Sequence, residues 1–145
     1  MPALTLLFAL AAAGAATDPA SGLKPGKAVL ASAGPLAFGP DGILFVGDTL
    51  GATLWALDTG DRTPAAGKIN VSGVQEKVAA MLGTAPDQVA INDMIVNPIS
   101  HKAYLSISRG RGPDAVPVIL RVDAAGKIEE LALDKVKRSS ILYGR

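Results

Sequence analysis

One arrangement occurs twice along this chain: an apolar strand, a proline-containing turn, a second apolar strand, a gap, and a third strand that ends in aspartate. The first copy runs from Leu36 to Asp58 as LAFGPDGILFVGDTLGATLWALD, the second from Met94 to Asp123 as MIVNPISHKAYLSISRGRGPDAVPVILRVD. Their turn prolines, Pro40 and Pro98, stand 58 residues apart. Short strands joined by tight turns make antiparallel sheets. A single such unit cannot bury its own apolar face, so a repeat stacks unit on unit.

A strand-turn-strand-strand unit recurring at this spacing is the pattern of a β-propeller blade. The expected fold class is therefore all-β, a partial propeller of about two four-stranded blades with one inserted short α-helix. Propellers close with about 4 to 8 blades of roughly 40 residues each, and two units with an insertion do not close a ring. The uncovered faces and strand edges that remain invite pairing. The expectation is a fragment of a longer protein, an oligomer that completes the ring, or a different β fold.

Composition limits the chemistry. Apolar residues make up 49% of the 145 and aromatics 4%, so the core is built from Ala, Val, Leu and Ile. Fourteen basic and 13 acidic side chains leave a formal charge of +1, without the basic excess that a nucleic-acid surface needs. The basic residues Lys135, Lys137, Arg138 and Arg145 near the C-terminus read as a solvated tail. With no cysteine, disulfides, thiolate zinc sites and thiol catalysis are excluded.

The first residues, MPALTLLFALAAAGAATDPASG, hold an apolar run from Leu4 to about Leu10 and an Ala13-Gly14-Ala15 cleavage-type site. This reads as a secretory signal, and the run is too short for a span of about 20 residues. The protein is expected to be secreted or periplasmic, with no stable membrane span once the signal is removed. The expected organisation is a signal peptide over 1–16, a linker over 17–34, a first blade over 35–71, a helical insertion over 72–90, a second blade over 91–133 and a frayed tail over 134–145.

Within the first blade, Leu36 to Phe38, Ile43 to Val46 and Thr53 to Asp58 read as strands, and Lys68 to Val71 as the fourth. Gly39-Pro40-Asp41-Gly42 is a tight turn in which Pro sets one φ and Gly supplies a positive one. From Val74 to Leu82 the period changes: Val74, Val78, Ala79, Met81 and Leu82 share one helical face, between Ser72 or Gly73 and Gly83. In the second blade Val89 to Val96, Ala103 to Ser108, Val116 to Asp123 and Ile128 to Leu133 read as strands, with a polar glycine-rich loop over Arg109 to Ala115.

The chemistry-bearing candidates are few. Asn92 and Asp93 open an inner strand, where an amide carbonyl and a carboxylate either face a central channel or cap the strand by bonding nearby backbone N–H groups. Asp48, Asp58 and Asp123 end strands, the usual place for aspartate turn chemistry. Arg109 and Arg111, on one glycine-rich loop, form a candidate anion-binding pair or simply a long polar hairpin. His101, the single histidine, reads as a surface turn residue, and Trp55 as a residue packed between blades.

The segment AINDMIVNPISHKAYLSISR, residues 90–109, resembles the blade segment of six-bladed propellers of the gluconolactonase, strictosidine synthase and paraoxonase superfamily. GPDGILFVGD, from Gly39 to Asp48, resembles the blade turn of NHL-type and gluconolactonase propellers. The resemblance spans residues 35–133. It implies that Asn92 and Asp93 are metal ligands in the channel, that calcium is the cofactor, and that Asp48 caps its strand at the channel end. The family's N-terminal acidic ligand has no evident counterpart here, since the early Asp18 falls in the linker.

Two function classes follow. The resemblance implies an exported, calcium-dependent lactone or ester hydrolase acting on a small molecule, in which this segment supplies scaffold and Asn92. The alternative is a non-catalytic, NHL-like propeller that presents loops to a protein partner or ligand. The 145-residue chain alone is expected to lack enzyme activity, because a complete catalytic set is not found in it.

Overall fold

The computed structural model describes residues 18–143; the expected signal peptide lies outside them. In chain order the strands are β1 (Lys24–Gly26), β2 (Leu36–Phe38), β3 (Ile43–Asp48), β4 (Thr53–Asp58), β5 (Val89–Val96), β6 (Ala103–Arg109), β7 (Val116–Val122), β8 (Ile128–Glu130) and β9 (Val136–Leu142). One helix, α1 (Val74–Leu82), falls between β4 and β5. The strands form two antiparallel sheets, one ordered β1-β9-β4-β3-β2 and the other β5-β6-β7-β8. Among the described residues no helix is long and apolar enough to cross a membrane.

The two sheets share a core. Leu36, Leu44, Val46, Leu57 and Val136 of the first pack with Tyr104 and Ile119 of the second, and Phe38 meets Tyr104 edge-on with ring centroids 5.0 Å apart. The alternation of strand side chains decides the rest: Leu105, Ile107, Val118, Leu120 and Val122 face away from the first sheet and pack with α1. On α1, Val78 and Ala79 are buried while Met81, placed on the apolar face by its spacing, is 42% exposed. Gly83 ends the helix in the left-handed conformation, at φ 68°, which only glycine adopts without strain. Trp55 packs against the inter-sheet core, in keeping with its reading as a packing residue.

Three expectations need correction. The span 17–34 is not a plain linker: β1 pairs with β9, and Ala28, Leu30 and Ala33 are buried in the core. The first sheet takes its next strand not from Lys68 to Val71, which forms no strand, but from β9, which pairs with β4 from Thr53–Leu142 to Leu57–Arg138. The expected frayed tail over 134–145 is thus not borne out over its described part, 134–143, since 136–142 is a strand with Val136 buried. The physical reason is common to all three. β9 is polar, VKRSSIL, and its order comes from backbone ladders to distant strands rather than from an apolar period of its own. The Lys68 to Val71 segment instead lies over the far face of the second sheet, where Ile69 and Val71 pack beside α1.

Candidate functional site

Asn92 sits in a β-bulge. The pairing of β5 with β6 passes from Ile91–Ile107 to Asp93–Ser106, leaving Asn92 unpaired. A bulge turns a side chain away from its regular direction, and the Asn92 amide donates to Ala33 O and Ser108 Oγ, both at 2.8 Å. Asp93 Oδ2 accepts from Leu36 N–H at 2.8 Å, tying β5 to β2 across the sheets, and Oδ1 accepts from Met94 N–H. Both residues line a cleft of about 430 Å³ with Ser32, Thr49 and Ser108.

The donor set of this cleft does not fit calcium. The ion takes six to eight oxygens, with carboxylates to balance its charge, whereas the lining offers one carboxylate, Asp93, beside the Asn92 amide and the hydroxyls of Ser32, Thr49 and Ser108, and both Asp93 oxygens are engaged by backbone N–H groups. Among the described residues no three His, Cys, Asp or Glu side chains gather into a metal-binding group.

The other candidates are separated. Arg111 donates from Nε and Nη2 to Asp87 O, the first at 2.8 Å, and lines a small hollow of about 240 Å³. Arg109 ends β6, is exposed and does not line that hollow. Asp48 is 2% exposed and gathers backbone N–H groups of Ala31, Ser32 and Gly51 together with the Ser32 hydroxyl, at 2.7–2.9 Å. Burial alone pushes its carboxyl up, but these four donors outweigh it and hold it below the usual range.

Sequence reasoning passed over Asp61, in the loop after β4. It is 7% exposed, and its Oδ2 accepts from Ser100 Oγ at 2.5 Å, Tyr104 OH at 2.9 Å and Asn97 Nδ2 at 3.1 Å. Lys102 Nζ lies 3.9 Å from Oδ1. Burial, with some help from Asp61, raises the Tyr104 phenol above its ordinary value. Every partner of the Asp61 carboxylate belongs to the β5–β6 turn or to β6, so this knot moors the turn that carries His101.

That turn borders the second feature the sequence did not disclose. The far face of the second sheet is covered by α1 and the 69–74 segment only in part. Beside them opens a groove of about 560 Å³, lined by Met94 and Val96 of β5, Ala103 and Leu105 of β6, Val122 of β7, and Ile69, Val71 and Val74 opposite, with Lys68 and His101 also lining it. Met94 is 61% exposed and Val96 48%. The signal that was present is the outward side of β5, where Ile91, Met94 and Val96 are apolar on an edge strand whose exposed side chains are usually polar.

Comparison with protein-family models, with curated proteins and with solved structures brought no match.

Proposed function

We propose that this protein is an exported, non-catalytic binding scaffold of the propeller type, which holds a small apolar ligand in the groove between the second sheet and the 67–74 segment. The groove itself carries the reading. Its volume of about 560 Å³ lies within the range of roughly 300–1,000 Å³ typical of ligand sites, and its walls are aliphatic. Met94 and Val96 stand in water there, and a ligand that removes them from it gains about 25 cal/mol for each Å² buried.

The propeller part of the proposal is supported by the second sheet, a four-stranded meander in chain order, and by its face-to-face packing on the first. The two polar clusters that could have served a hydrolase, the Asn92-Asp93 pair and the Asp61 knot, are committed to backbone and side-chain ties within the fold, which supports binding over catalysis. Export is supported by the apolar run at the N-terminus alone.

The test is titration of the full chain with Nile red, a neutral dye that brightens in apolar surroundings. One saturable site is expected, lost in Val96→Asp and Met94→Asp, whose exposed positions leave the fold intact as judged by an unchanged melting midpoint. Dye binding that both variants retain would place the ligand elsewhere and overturn the reading.

A further inference from the structure

We infer that the ligand of this groove is an aliphatic carboxylate, its chain against Met94, Val96 and Leu105 and its head held by Lys68 and His101. The inference rests on the binding-scaffold reading and adds to it the chemistry of the ligand's head. The groove is lined by eight aliphatic side chains and by two that carry nitrogen donors, Lys68 and His101, with no acidic side chain among its lining residues. A concavity whose polar donors are all of one kind selects a ligand with an apolar body and an acceptor at one end.

The two donors are free for that role. Lys68 is exposed and, among the described residues, forms no ion pair. Its ammonium offers three N–H donors and no acceptor. His101 offers a ring N–H in either neutral tautomer and two when charged. Lys102, the next cation along the turn, is drawn instead to Asp61.

His101 is also held in place. It has φ 60°, a left-handed conformation that glycine would adopt freely and that a residue with a side chain adopts at a cost. The turn keeps it there: its N–H donates to Asn97 O at 2.9 Å, and Asn97 N–H donates to Lys102 O at 2.9 Å. Asn97 is fully buried and bonded through its amide to Asp61. The histidine is therefore carried to the groove by a turn anchored in the core, whose backbone needs no further ordering on binding.

The experiment is displacement of Nile red from the full chain by octanoate, decanoate and dodecanoate, below their micellar concentrations, with the corresponding alcohols in parallel. Affinity should rise about fourfold for each added methylene in both series. Each carboxylate should bind roughly tenfold more tightly than its alcohol, the worth of a charge-assisted hydrogen bond. Lys68→Ala should bring carboxylate and alcohol close together, and His101→Gly should narrow the gap while relieving the backbone. Equal binding of alcohol and carboxylate in the parent would overturn the carboxylate and leave the apolar site standing. A carboxylate preference untouched by either variant would overturn the assignment of its head to these two residues. Failure of every ligand and of the dye itself would remove the groove reading along with the inference.

Discussion

A buried aspartate surrounded by donors is stable only so long as each donor finds it. Asp61 meets Ser100, Tyr104 and Asn97 in a region from which water is largely excluded. Removing its carboxylate strands the Ser100 and Tyr104 hydroxyls and takes one of two bonds from the Asn97 amide, whose other runs to Asp61 O, and each buried donor left without a partner costs about 1–3 kcal/mol. Asp61→Ala is therefore expected to destabilise by about 3–5 kcal/mol in chemical denaturation. Ser100→Ala, which deletes one donor and leaves the carboxylate two others, should cost about 1 kcal/mol. Equal losses in the two would show that the carboxylate is not the centre of the knot. None of this is legible along the chain: Asp61 follows a glycine in a loop without period, and its partners lie 36 to 43 residues away. The turn chemistry of Asp48 and the local bond of Asp93 to Met94 are legible, because side chains that bond backbone within a few residues announce themselves by type and position.

At the scale of elements, the same distinction separates what could be read from what could not. The period and glycine cap of residues 74–82 predict the helix by themselves, and apolar runs between turns predict β2 to β4 and β5 to β8. β9 has neither signal. Its order depends on lying between β1 and β4, with Arg138 opposite both Lys24 and Leu57, so its place is decided by strands more than 80 residues away in sequence. A proline in such a position removes a ladder hydrogen bond and clashes with its neighbours. Arg138→Pro is expected to destabilise on the order of 3 kcal/mol, while Arg138→Ala, which gives up the bond from Nε to Lys27 O on a half-exposed side chain, should cost under about 1 kcal/mol. Thermal melts distinguish the two. If 136–142 were a loose end, both substitutions would be silent.

Across the whole molecule, carboxylates clasp segments far apart in the chain: Asp48 holds the approach to β2, Asp61 the β5–β6 turn, and Asp93 joins the sheets. For Asp48 the consequence for pH has a definite sign. Its folded-state pKa is held below the ordinary 3.8, so the unfolded chain takes up a proton first as pH falls. The stability this group supplies is complete above about pH 5 and is lost on descent through 3.8 and on toward the folded value. Glu129 acts in the same direction: a hydrogen bond from Lys127, and then one from Arg121, hold it at about 2. Its side chain is about a third exposed, however, and such surface pairs contribute little and are screened by salt. Salt therefore separates the two sources. In 1 M sodium chloride, where the screening length is about 3 Å, the acid dependence due to Glu129 should nearly vanish while that of Asp48, held by buried backbone donors, should persist. Asp48→Asn should be less stable than the parent at neutral pH, because its amide places N–H groups against N–H groups. The gap between the two should narrow steadily as pH is lowered below about 5, as measured by urea denaturation at each pH in high salt. A gap that stayed constant down to pH 3 would mean that the Asp48 carboxylate titrates alike in the folded and unfolded chain, and that its four donors hold the fold without favouring its charge.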